Sequence, residues 1–81
     1  MIEKDAAENA HAEIIETIKK ARLEKGYSQS KLGELSGVQQ PIIARMEKGN
    51  THPKLATVLK VLVPLDKKLA VVPAEKGVET S

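Results

Sequence analysis

The sequence predicts an all-α fold: a compact domain of four to five helices, closed at its C-terminal end by one short β-strand. Three observations carry this. Apolar residues recur at helical spacing in several separate stretches. Those stretches are short and punctuated by Gly26, Gly37 and Gly49, each suited to the left-handed position that follows a helix. One stretch alone, Leu69-Ala70-Val71-Val72, is apolar, partly β-branched and bounded by Pro73, and reads as a strand.

In chain order, residues 1–12 are rich in Ala and charge and have no strong apolar period. Asp5 or Asn9 can cap a helix there, or the segment frays. Ile14, Ile18 and Ala21 follow helical spacing, with Ile15 and Arg22 on a neighbouring stripe, so helix 1 runs at least from about Glu13 to Lys25. Gly26 ends it, and Tyr27 is expected beneath the turn. Helix 2, Gln29 to Ser36, is capped by Ser28, carries Leu32 and Leu35, and stops at Gly37. Helix 3, Gln40 to Lys48, carries Ile43 and Met46 inward and stops at Gly49. Asn50-Thr51-His52-Pro53 is a loop, with Pro53 placed for the start of helix 4. Leu55, Val58, Leu59 and Leu62 recur at i, i+3, i+4 and i+7, and Pro64 ends or kinks that helix near Val63. The division that follows is an N-terminal extension over 1–12, a domain over 13–66, a strand segment over 67–73 and a loose tail over 74–81.

Two helices of about two turns each, joined at a Gly, form a helix-turn-helix, whose second helix can lie in a DNA major groove. Composition narrows the alternatives. At 81 residues the chain holds one small core. It has no Cys, which removes disulfides and Cys-based zinc sites. Tyr27 is its sole aromatic residue, which argues against a base-stacking platform for single strands. No apolar run is long enough to span a membrane and no signal pattern precedes helix 1, so a cytoplasmic location is expected. The net charge is only +2, but residues 25–54 carry five basic side chains against Glu34 and Glu47. That local excess is the footprint of a phosphate-binding face. His11 and His52 have no carboxylate or Ser at a catalytic spacing, no Gly-rich loop follows a strand, and a metal site lacks ligands. An enzyme, a cofactor and a metal are therefore not expected.

Taken together, Gly26-Tyr27-Ser28-Gln29, Leu32-Gly33-Glu34, Gly37-Val38-Gln39-Gln40, Ile43-Ala44-Arg45-Met46-Glu47-Lys48-Gly49 and Pro53 resemble the XRE family of phage Cro and cI-like repressors. The resemblance covers roughly Ile14 to Leu65 and implies a repressor fold and binding to double-stranded DNA. Within that family the stretch Leu65 to Pro73 is similar to antitoxins of the HigA and HipB kind, which add a short strand after the last helix.

Gln40, in the first turn of helix 3, can make two hydrogen bonds to adenine, about 1 to 3 kcal/mol of discrimination. Gln39 and Arg45 are the next base-reading candidates; Arg45 suits guanine or a phosphate equally. Pro41 offers only apolar contact, such as with a thymine methyl. Ile42 is unexpectedly apolar for an outward position and is open to either a DNA or a protein contact. Ser28 caps helix 2, but Lys31 stands where a capping box has Glu, so a DNA phosphate is the expected anion there, with Gln29 donating to it. Lys48, Asn50, Thr51 and Lys54 are further phosphate candidates. Arg22 and Glu47 sit on otherwise apolar stripes, and the resemblance implies that they form a structural ion pair.

A lone strand of about four residues is unstable in water, and the chain shows no second strand pattern. The expected partner is the same segment of a second copy, with Val61, Val63, Leu69, Val71 and Val72 at the homodimer interface. Two recognition helices about 34 Å apart would then read a near-palindromic operator. Two function classes follow: a sequence-specific DNA-binding repressor, and an antitoxin that neutralises a toxin protein while repressing its own operon.

Overall fold

A computed structural model describes residues 2–49 and 51–73, with side chains from residue 7 onward. The described residues form α1 (Ile2–Glu24), α2 (Gln29–Ser36), α3 (Gln40–Lys48), α4 (Leu55–Leu62) and a 3-10 turn over Val63–Leu65. Helix α1 runs through the stretch left open in the sequence, beginning at Ile2.

The short helices are punctuated as their sequence suggests. Ser28 Oγ accepts the Lys31 amide at 2.9 Å and so satisfies a donor that the first turn of α2 leaves free. Gly37 and Gly49, at φ of 78° and 80°, close α2 and α3 in the left-handed conformation. Pro41 occupies the first turn of α3, where its missing N–H costs nothing. Pro64 cannot continue the ladder of α4, and the chain tightens there into the 3-10 turn.

The core draws Ile15, Ile18 and Ala21 from α1, Leu32 from α2 and Val38 from the connecting turn. Ile43 and Met46 of α3, Val58, Val61 and Leu62 of α4, and Leu65 complete it. Six of these side chains are essentially sealed from solvent, so their removal would leave cavities and not merely lost surface burial.

Four expectations change. Val61 is fully buried and belongs to this chain's own core, not to an interface between copies. The reason is a degeneracy of pattern: Val58, Val61, Leu62 and Leu65 are as regular a stripe as Leu55, Val58, Leu59 and Leu62. The fold uses the first and turns Leu55 and Leu59 outward. Leu35 likewise faces solvent. Ile42 is half-buried and packs on the core, which explains an apolar residue there without a DNA or partner contact. Finally, Leu69–Val72 forms no strand among the described residues. A β-ladder needs a second strand to accept its hydrogen bonds, and no described part of this chain provides one. The expected roles of Asn50 and of the 74–81 tail lie outside the described residues.

Candidate nucleic-acid interface

Helix α3 has two sides of different chemistry. Ile43 and Met46 are anchored inside, while Pro41, Arg45 and Lys48 are exposed at intervals of four and three residues, forming one outward stripe. Gln40 and Ala44 lie half-buried at its edge. Gln39, the residue before the helix, is exposed.

An open concavity of about 730 Å³ adjoins this stripe and is lined by Ser28, Ser30 and Lys31 of the α2 entrance and by Gln39 and Gln40 of the α3 entrance. The structure thus gathers Ser28, Lys31, Gln39 and Gln40 in one place. Glu34 also lines it, and Lys31 Nζ lies 3.6 Å from its carboxylate. That pair is solvent-exposed and contributes little to stability.

The helices meet closely enough to form this surface because of Gly33. A Cβ there would stand 2.6 Å from the Val38 carbonyl oxygen and 3.4 Å from the Gln40 nitrogen. Both neighbours are backbone and cannot swing away, so only glycine permits this approach of α2 to the start of α3.

Beneath the surface a continuous polar chain holds Gln40. Arg22 grips Glu47 with two hydrogen bonds, Nε to Oε2 at 2.7 Å and Nη2 to Oε1 at 3.0 Å. Its Nη1 donates to the Tyr27 carbonyl at 2.7 Å. Gln29 Nε2 donates to Glu47 Oε1 at 3.0 Å, and Gln40 Nε2 donates to Gln29 Oε1 at 2.9 Å. The Arg22 and Glu47 side chains are only 10% and 4% exposed, so the pair is desolvated and bidentate. Burial pushes the Glu47 carboxyl up, but the hydrogen bonds from Arg22 and Gln29 and the charges of Arg22 and Lys19 outweigh it. The net effect holds Glu47 below the usual glutamate value.

Gln29 therefore has a part the sequence did not suggest. Its amide links the buried ion pair to Gln40, leaving one N–H beyond that link. The signal was weak because Gln29 and Glu47 are 18 residues apart.

The remaining candidates lie elsewhere. Arg45 is exposed on α3, and Thr51 and Lys54 are exposed after it. Lys48 lines a separate groove with Glu8, His11 and His52. There the His11 and His52 rings stack with centroids 4.5 Å apart, and His52 Nε2 lies 3.7 Å from Glu8 Oε1. This contact ties the loop after α3 to the first half of α1.

Comparison with known proteins matches residues 18–72, more than half of the chain, to the helix-turn-helix family HTH_3. The chain belongs to this helix-turn-helix family. An HTH-type transcriptional regulator of Haemophilus influenzae is 49% identical over 65 residues, which cover 80% of this chain and 66% of that protein. The HTH-type transcriptional regulator YgzD of Bacillus subtilis is 40% identical over 52 residues, 64% of this chain and 79% of its own. Among solved structures, a toxin–antitoxin module from Streptococcus pneumoniae superposes with a TM-score of 0.77 at 53% identity, covering 93% of this chain and 82% of that one. The family is one of transcriptional regulators, not of enzymes. No helix among the described residues is long and apolar enough to cross a membrane.

Proposed function

We propose that this helix-turn-helix protein is a repressor that reads a near-palindromic double-stranded operator as a homodimer, with α3 in the major groove. The observation that carries the reading is the suspension of Gln40 from Gln29, Glu47 and Arg22. Gln40 gives one N–H to Gln29, which leaves its Oε1 and second N–H for a base edge. Those two groups match N6 and N7 of adenine. A side chain ordered before binding loses less rotamer entropy on contact.

Gln39 and Arg45 flank Gln40 as further readers, and Pro41 offers a surface for a thymine methyl. Ser28, Lys31, Lys48, Thr51 and Lys54 neutralise or hydrogen-bond phosphates and set register without reading sequence. Gln29 contributes at most its one remaining N–H to a phosphate. The dimer forms through exposed apolar residues that follow α4: Val63, Leu69, Val71 and Val72. Selection of bound sites from a random duplex library tests the reading. It should return an inverted repeat with an adenine fixed in each half-site, at a half-site spacing of about 34 Å. Recovery of unrelated sequences would overturn it.

A second reading is compatible and rests on the Streptococcus pneumoniae neighbour, described as a toxin–antitoxin module, at 53% identity across 93% of this chain. On this reading the chain is an antitoxin that binds and neutralises a toxin while repressing its own operon. Co-expression with the adjacent open reading frame checks it. A stoichiometric complex that relieves growth arrest supports it, and arrest unaffected by this chain would sink it.

A further inference from the structure

Helix α2 carries two charged side chains, Lys31 and Glu34, and both stand against the helix itself. Lys31 lies in the first turn, where the helix dipole favours an anion. Glu34 lies in the last turn, where the dipole favours a cation. Lys before Glu is also the weaker order for a pair on one helix face. The stability of α2 therefore accounts for neither residue, and the reason for their placement lies in what meets this face from outside.

That face is the concavity between the entrances of α2 and α3. Lys31 and Glu34 are the charged residues of its lining, and their charges cancel. Lys31 Nζ lies 3.6 Å from Glu34 Oε1, with the two side chains 52% and 74% exposed. A pair so open is held weakly, and the ammonium can leave it for a stronger anion. Glu34 stays beside the concavity when that happens. It follows Gly33, whose close approach to the Val38 carbonyl and the Gln40 nitrogen fixes this part of α2 against the start of α3.

In a helix-turn-helix docked in the major groove, the first of the two helices crosses the DNA backbone. Lys31 then meets a phosphate, and the same approach carries Glu34 toward like charge. We propose that Glu34 is an electrostatic restraint on DNA binding. It holds Lys31 in the free protein, so a phosphate must take the ammonium from a carboxylate, and it repels that phosphate once Lys31 has moved. The restraint acts on the backbone of the duplex, so it lowers affinity for every sequence by the same factor and leaves the base preference of Gln40 intact. Sequence-independent binding, which is almost wholly electrostatic, is thereby kept weak. The inference rests on the repressor reading above and gives a role to a residue which that reading left out.

The test is a double-mutant cycle on the full-length chain. The parent, Glu34→Gln, Lys31→Gln and the double variant are titrated, at several salt concentrations, against a duplex recovered by site selection and against a random-sequence duplex. Glu34→Gln should tighten both duplexes several-fold, by equal factors, with a salt slope steeper by up to about one. In the Lys31→Gln background that gain should shrink about two-fold or more, because no ammonium is left to release. A Glu34→Gln protein that binds both duplexes as the parent does would overturn the restraint and leave the repressor reading standing. So would a gain confined to the selected duplex, which would make Glu34 a base contact. A gain of the same size with and without Lys31 would remove the competition for Lys31 and overturn the proposal as well. A parent that binds neither duplex would overturn both the proposal and the repressor reading.

Discussion

The polar junction beneath α3 and the apolar segment after α4 solve opposite problems. At the junction, four polar side chains from three helices satisfy one another within one chain, and little of the central ion pair is left for water. After α4, Val71 and Val72 find no such completion among the described residues and stand largely in solvent. The first region is built to hold a side chain still before anything binds. On the proposed reading, the second is finished by another chain. A buried ion pair is weak ground for stability in general, since desolvation offsets attraction. Here its position gives it a second use, because its chain of hydrogen bonds ends at Gln40.

The largest expected effect lies at the junction. Glu47→Ala leaves Arg22 buried without its carboxylate, costing about 3 to 5 kcal/mol. In a domain of this size that lowers the melting temperature by roughly 12 °C or more, readable by circular dichroism. An unchanged melting temperature would erase the contrast between the two regions. The second test acts on the segment after α4. Val71→Asp with Val72→Asp removes two apolar side chains from the proposed contact, about 3 kcal/mol in total, and should weaken dimerisation about 100-fold in sedimentation. Thermal stability extrapolated to the dissociated chain should stay unchanged, since neither valine touches the core.

Gln40→Ala comes next. It should lose about 1 to 3 kcal/mol of discrimination at one base pair per half-site, measured by competition binding on single-substituted duplexes. Equal losses on operator and random duplexes would remove the reading role. Lys48→Ala is the control: it should weaken all duplexes alike and reduce the salt slope by about one.

Gly33→Ala sets two effects against each other. Alanine would gain about 0.5 to 1 kcal/mol as a better helix former. The Cβ would meet the Val38 carbonyl at 2.6 Å, and overpacking against backbone typically costs about 1 to 3 kcal/mol. The clash should win, with a small net loss of stability in denaturant titration and a shifted α3 entrance.

The smallest effect is the pH dependence of Glu47. Its carboxyl lies below the usual 4.5 in the folded chain, so its stabilising contribution is complete above that value and declines as pH falls through the depressed native value. Melting temperatures of the parent and of Glu47→Gln, compared between about pH 5 and pH 3, should converge toward acid.

The sequence by itself determined the segmentation of this protein. Ser28, Gly37, Gly49, Pro41 and Pro64 act on their own turns through caps, φ preferences and missing donors, and these local effects are readable without knowing what lies opposite. The same locality made the helix-turn-helix legible, and its motifs carried the family resemblance. Tertiary structure decided which face of each helix turned inward. Along α4 two stripes satisfied the same period, and only packing against α1 and α2 chose the one containing Val61 and Leu65. It also joined residues that local pattern cannot connect: Gln29 to Glu47 and Gln40, His11 to His52, and Gly33 to the Val38 carbonyl. For Leu69–Val72 the sequence supplied the apolar, partly β-branched character, but a ladder is a property of two segments, and the described residues hold no second one.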